Sequence, residues 1–310
     1  MAIDDKPIAM SVKITAVAVG VLQRPDGSVL YAQRPSGKVY AGWWEFPGGK
    51  RELGEPIEQT LVRELREELG IEVTQFAPWV IRDHVYPHAT VQLHFFRVTH
   101  WCGEPTSREG QVLRWQDPNA AAPQPLLPAA IPVINWLELP ARYLLTSAST
   151  LGIAGTVTLV GQQIKLGAGL VQLFEPLLND QEVIQLHGLL SAELSHSSQH
   201  HLLVHQIHQH LFSQAVNGVH FDSNSLMACV VKPAAPLVGA DCETAEQLSW
   251  AAALGLDFVV MSEQFFLRSS RASRLPVFAL LQPNSATSAD FLSLGAHGVC
   301  KHLLRVLPKL

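Results

Sequence analysis

The sequence is poor in charge. Only 16% of its 310 residues are Asp, Glu, Lys or Arg, and the net charge is −5. The excess of basic residues that marks a nucleic-acid binder is absent, so direct nucleic-acid binding is not expected. Cysteine is scarce and scattered, at 102, 229, 242 and 300, with no CxxC pair. That excludes a disulfide framework, and reduced thiols in the cytoplasm are the simplest account. No unbroken apolar run is long enough to span a membrane. The long uncharged stretch from Asn119 to Leu137 is interrupted by Pro123, Pro125, Pro128 and Pro132. The first residues, MAIDDKPIAM, place acids where a signal peptide needs a basic start and an apolar core. A cytoplasmic protein with no membrane partner is the expectation. Basic residues are rarest between Arg142 and Lys232, where Lys165 stands alone.

What remains is a hydrophobic content of 47%, ample for a large core, on a chain long enough for two domains. In the first part, ITAVAVGVLQ (14–23) and SVLYAQR (28–34) read as strands around a PDG turn, closing a hairpin. A GG turn and a helix follow, then a strand at 91–100. The Pro/Ala-rich segment 117–132 reads as a loop leading to a short helix over 133–139. The texture changes near Pro140, which sets the expected domains at 1–139 and 140–310. Beyond it, eight short apolar runs alternate with helix-like segments: 142–146, 169–174, 201–205, 217–221, 236–240, 256–261, 275–281 and 297–301. Such alternation predicts a parallel (β/α)8 barrel of the TIM type. The segment is short for one, so trimmed helices or an imperfect barrel are expected. The overall class is α/β.

The most informative stretch is GGKRELGEPIEQTLVRELREELGI, residues 48–71. Pro56 fits a first helical position and Gly70 the residue past the end. Ile57, Leu61, Leu65 and Leu69 make an apolar stripe. Glu64, Glu67 and Glu68 share one side of that helix, at the margin of the buried face. Arg63 can pair with Glu67, but no Lys or Arg stands between Glu64 and Glu68. A Glu-rich face is ordinarily just solvated. Beside a Gly-rich turn, it also supplies the oxygens that Mg²⁺ takes together with substrate phosphates.

As a spacing, this stretch is similar to the Nudix box at Gly49, Glu55, Arg63, Glu64, Glu67, Glu68, Gly70 and Ile71. The preceding WWEFPGG (43–49) resembles the MutT branch of that family. The resemblance covers residues 11–139 and implies an α/β/α sandwich with a mixed sheet. It also implies Mg²⁺-dependent hydrolysis, with Mn²⁺ as substitute, of a nucleoside triphosphate to monophosphate and pyrophosphate. The default substrate it implies is 8-oxo-dGTP, in nucleotide-pool sanitation and DNA repair. By match to the motif, Glu64, Glu67, Glu68 and the carbonyl of Gly48 would hold metal. Glu64, Glu67 and Glu109 would carry catalysis, Glu109 as the loop glutamate that helps with metal or activates water. Arg34, Glu45, Phe46, Pro47, Gly48 and Tyr86 would contact the nucleotide, although Phe46 and Trp44 suit a core equally. The sequence departs at Ala130, where MutT proteins of this kind carry the Asn that reads the oxidised base. Hydrolysis of another nucleoside diphosphate derivative or a thiamine-related diphosphate therefore stays open. A non-catalytic ligand-binding regulator is a third reading, against which the complete box argues.

From Arg142 the chain resembles thiamine phosphate synthase and its TenI relatives, chiefly at VGADCETAEQLSWAAALGLDFVVMSEQF. That family's site is mostly missing. Phe174, Glu175 and Pro176 stand where a basic residue is needed, and His205, Gln206 and Ile207 where Asn-Asp-Arg would hold Mg²⁺. Leu281, Gln282, Pro283 and Asn284 replace a Gly-Gly phosphate loop, and FLRSSR (266–271) replaces Thr-Lys-Pro. The second part is expected not to make thiamine phosphate and to act as scaffold, homodimer surface or binding module. Histidines 196, 200, 201, 205, 208 and 210 have no paired carboxylate or cysteine to complete a metal site.

Overall fold

The computed structural model describes residues 14–117, 120–197, 199–212, 216–269, 273–282 and 288–303. The N-terminal region is built from β1 (Ile14–Leu22), β2 (Val29–Gln33), β3 (Trp44–Glu45), β4 (Gly48–Lys50), α1 (Ile57–Leu69), β5 (Glu72–Tyr86), β6 (Ala89–Cys102), β7 (Val112–Gln116) and α2 (Ile131–Leu137). Two sheets form, ordered β4-β1-β6-β5 and β3-β2-β7. The first is mixed: β1 runs parallel to β6 and antiparallel to β4.

The expected β1–β2 hairpin does not form a ladder. Beyond a single bridge at Gln23 and Val29, the two strands part into different sheets. The GG turn is in fact the short strand β4, laid against β1. Pro56 stands one residue before the helix, as its extended N-cap, while Gly70 ends it in the left-handed conformation at φ 70°. Both β1 and β2 are buried on both faces, with Val19, Val21, Val29 and Tyr31 in one apolar cluster and Ala18, Leu22 and Leu30 in another.

Strand β5 has no counterpart in the sequence reading. Pro78 and register shifts between Val73 and Gln75, Gln75 and Phe76, and Pro78 and Val80 break its alternation. It nevertheless pairs with β6 along nearly its whole length. Helix α1 presses Leu61, Leu65 and Leu69 onto this sheet, all three fully buried with Ile71, Phe96 and Val98. Each is worth about 1.5–3 kcal/mol of burial, which anchors the acidic face beside them.

The C-terminal part is a closed barrel of eight parallel strands, β8 (Arg142–Leu145), β9 (Leu170–Leu173), β10 (His201–His205), β11 (Gly218–Phe221), β12 (Leu237–Asp241), β13 (Phe258–Ser262), β14 (Val277–Leu280) and β15 (Gly298–His302). Each of the eight apolar runs supplies one strand. The outer layer comprises α3 (Ala148–Lys165), α4 (Asp180–Leu194), α5 (Ser223–Ala228), α6 (Ala245–Ala253), α7 (Glu263–Ser269) and α8 (Ser288–Ser293). Helices α3 and α4 are full length, but α5 to α8 are trimmed to between 6 and 9 residues, and a 3-10 turn, Gln206–Leu211, replaces one altogether. Helix α6 starts at a Thr244–Gln247 capping box.

The two parts share one apolar cluster, which takes in Trp79 and Trp136 from the first and Phe278 and Val299 from the second. Trp79 stacks on His297 with centroids 5.8 Å apart. Ile81 N–H donates to Ser273 O at 2.9 Å, a main-chain bond between β5 and the barrel.

Candidate active site

The second half of α1, strand β4 and the loop before β7 bring the box residues together. Arg63 is the hub. Its Nε and Nη2 donate to the two oxygens of Glu55 at 2.9 and 3.0 Å, and Nη2 also reaches the Lys50 carbonyl. Its Nη1 donates to Glu64 at 2.9 Å and Glu67 at 3.2 Å. The sequence reading gave Arg63 only Glu67; the structure adds Glu64, one residue on. The Arg63 hydrogen bonds hold the Glu55 carboxyl down at about 2. Arg63 therefore ties the loop before the helix to the acidic face.

Glycines 48 and 49 make the close approach possible. Gly48 adopts φ 147°, and a side chain there would run into the Ala18 carbonyl. A side chain on Gly49 would occupy the place of the Glu64 carboxylate. Gly48 N–H donates to Glu68 Oε2 at 3.0 Å. Glu68 lies deeper than the other two acids. Burial, reinforced by the charges of Glu45 and Glu109 and opposed by the Gly48 N–H, pushes its carboxyl up to about 8. Burial raises Glu64 too, against the pull of Arg63.

Glu109 sits on a loop that is pinned to the end of α1. Arg108 N–H donates to Glu68 O at 3.0 Å and Thr106 N–H to Leu69 O at 2.9 Å. Buried Gln111 accepts from Glu109 N–H and Ser107 Oγ, both at 3.0 Å. Glu109 itself pairs with Lys38 at 2.7 Å. Lys38, Arg108 and Gln111 were not singled out from the sequence. Lys38 lies 71 residues from its partner, so no local spacing signals it.

The residues expected to meet nucleotide are divided. Arg34 Nη1 donates to both oxygens of Glu45 at 2.7 Å, and its Nε to Val39 O at 2.7 Å. Tyr86 packs near Tyr40, with centroids 5.6 Å apart, and stacks on His88 at 5.6 Å. His88 thus joins the aromatic group from which the sequence reading left it out. Tyr40 holds a left-handed φ of 61°, rare for a residue with a side chain. Phe46 turns the other way. It is buried against Tyr31 and Phe95, as a core side chain. Pro47 is also inward, its carbonyl accepting from Gly20 N–H at 2.8 Å. Ala130 is buried at the start of α2, beside the equally buried Ala129. Asn119 lies outside the described residues.

Among the described residues, no group of three or more His, Cys, Asp or Glu side chains encloses a common point. Arg63 draws Glu64 and Glu67 toward itself, and Gly48 holds Glu68. The donors are all oxygen, which suits a hard divalent cation. A half-buried carboxyl raised by desolvation and then by neighbouring acids is the kind of group that a cation would neutralise.

A NUDIX domain model matches residues 18–135. The CTP pyrophosphohydrolase of Escherichia coli K12 is 40% identical over 129 residues, covering 40% of this chain and 90% of that relative. The chain belongs to the Nudix family. Two further relatives are 8-oxo-dGTP diphosphatases. That of Proteus vulgaris is 44% identical over 33% of this chain and 90% of its own length. That of Escherichia coli K12 is 35% identical over 39% and 95%. The protein is thus a Nudix hydrolase acting on diphosphate anhydrides, a family that generally uses divalent metals. The family match ends before the barrel begins.

At the barrel's C-terminal mouth, Glu175 is buried and accepts from Ala148 N–H at 2.6 Å and Ser149 N–H at 3.1 Å, the first turn of α3. His208 Nε2 accepts from Glu175 N–H at 3.1 Å, and His205 packs on Phe174. These histidines are spent on structure. Inside, Tyr143 donates to Gln172 at 2.7 Å and meets His220, which bonds Asp241 at 3.0 Å. Pro283, Asn284, Ser270 and Arg271 lie outside the described residues.

Proposed function

We propose that this Nudix hydrolase is a Mg²⁺-dependent nucleoside triphosphate pyrophosphohydrolase that converts 8-oxo-dGTP to 8-oxo-dGMP and pyrophosphate. The observation that carries this reading is Glu68. It is a half-buried, raised carboxyl against the Gly48 N–H, in a complete box beside Glu64 and Glu67. Glu64, Glu67, Glu68 and the Gly48 carbonyl would hold the cation, with Mn²⁺ as substitute. Neutralised phosphate charge and a more acidic water are what a bound cation supplies. Water attacks phosphorus and one P–O anhydride bond breaks. Glu109 takes the water's proton once Lys38 leaves it for the incoming phosphates. Arg34, with Glu45, orients the nucleotide, and Tyr86 faces the base.

A second reading, favoured by Ala130, is a pyrimidine triphosphate such as CTP. Alanine cannot offer the amide that reads an oxidised guanine, and unpaired polar groups are what make base selection strong. A thiamine-related diphosphate remains a third candidate, and a non-catalytic regulator a fourth that the complete box disfavours. The experiment compares kcat/KM for 8-oxo-dGTP, dGTP and CTP with Mg²⁺ and identifies the products. Preference for 8-oxo-dGTP supports the first reading, and preference for CTP replaces it with the second.

We place the domain boundary near Pro140 and assign the barrel no thiamine phosphate synthesis. Its resemblance to that family and its Glu175-filled mouth suit a scaffold, a homodimer surface or a binding module. A cytoplasmic location with no nucleic-acid partner completes the proposal.

A further inference from the structure

A cleft of about 320 Å³ separates β5 and α2 from the α6–β13 turn and Arg274 of the barrel. It is lined by both parts of the chain, and its charges do not balance locally. Asp83 is engaged by Arg274 at 2.5 Å and by Gln92 at 3.1 Å. Asp257 is engaged by Lys232 at 2.8 Å and by Val238 N–H at 2.7 Å. Arg82 has no such partner. Its Nε is buried without an acceptor, and its guanidinium lies 5.6 Å from the Trp136 ring centroid. No carboxylate pairs with it among the described residues. A half-buried guanidinium whose Nε meets no acceptor leaves part of its desolvation cost unmet, and burial does lower its pKa.

We propose that this cleft is a binding site for a compact oxyanion, the phosphate or carboxylate group of a small metabolite, with Arg82 as its anchor. The guanidinium fork suits such groups, which accept two parallel hydrogen bonds. The cleft's size falls at the small end of ligand pockets. Arg274, already across the cleft on Asp83, is placed to share the bound charge, and Asn135 lines the same wall. A ligand here would fasten the barrel to the N-terminal region.

The test is thermal unfolding of the full chain in EDTA, which strips divalent metal from the candidate active site. Inorganic phosphate and malonate are added separately, against chloride at matched ionic strength. The expected result is a rise in Tm with one or both anions in the wild type and none in Arg82→Met. Phosphate alone identifies a phosphoryl ligand, and malonate alone a carboxylate. Without anion, Arg82→Met should melt above the wild type, because an unpaired cation has been removed. Equal anion-induced shifts in both proteins, or no shift in the wild type, would overturn the proposal. Should Arg82→Met fail to fold, the Arg82 Nε–H resonance of the wild type, assigned with Arg82→Lys, is followed instead. It should move on adding the anion, and an unmoved resonance rejects the site.

Discussion

His297 Nε2 lies 2.8 Å from the carbonyl oxygen of Leu139. The bond joins the barrel to the end of the N-terminal region, and it fixes which nitrogen of the neutral ring carries the proton. The other nitrogen, Nδ1, is buried with no partner. Charging the ring would therefore create a buried donor with nothing to meet. Burial, helped by the Arg97 charge, lowers the His297 pKa to about 3.

A first prediction concerns acid. In the unfolded chain His297 takes a proton below about pH 6.5; in the folded chain it does not until pH falls to about 3. Stability from this group is whole above pH 6.5 and is lost progressively as pH falls toward 3. Between pH 6.5 and 5 the loss is about 2 kcal/mol, at 1.36 kcal/mol per unit. Urea unfolding at several pH values should show that slope. His297→Gln should flatten it, and an unchanged slope in that variant would contradict the assignment.

Glu68→Gln should remove activity while leaving the fold. The loss should exceed the roughly 100-fold that an outer-shell partner of a metal typically costs. Metal-free Tm should stay level or rise, because a half-buried acid becomes a neutral amide. Mg²⁺ should raise the Tm of the wild type and not of the variant. Retained turnover in Glu68→Gln would sink the metal assignment.

Gly49→Ala should separate geometry from stability. The added methyl claims the space of the Glu64 carboxylate, so kcat should fall. The backbone there is not left-handed, so Tm should change little. A variant with full kcat would show that Glu64 can act from another position.

Glu109→Gln should lower kcat about 100-fold with little change in KM if Glu109 takes the proton. A raised KM with normal kcat would give it a binding role instead.

Ala130→Asn should raise the ratio of kcat/KM for 8-oxo-dGTP over dGTP by about tenfold or more, since a buried amide rewards a matching base edge. An unaltered ratio would show that the base lies elsewhere.

Much of this was legible from residue order. Helix α1 announced itself because its four-residue apolar stripe and Gly70 agree, and they place Glu64, Glu67 and Glu68 without further help. The eight barrel strands were visible because each is an apolar run buried on both sides. Strand β5 was hidden because Pro78 and its irregular register erase the period on which such readings depend. The inward turn of Phe46 was available in principle, since Trp44 and Phe46 alternate with half-exposed Glu45 along one short extended segment. The Lys38–Glu109 pair was not, because only the folded sheets bring those loops together. Nor was Arg82, whose isolation depends on where Arg274 and Lys232 spend their charge.

Glu175 changes what the mouth of the barrel can offer a solute. The amides at the start of α3 face the mouth, where a phosphate would be welcome in a working enzyme of this shape. Here the chain has supplied the negative charge itself, covalently and at no cost in concentration. An occupant tethered in this way cannot be outcompeted by any dilute solute. Any anion seeking these amides would first have to unseat the Glu175 carboxylate.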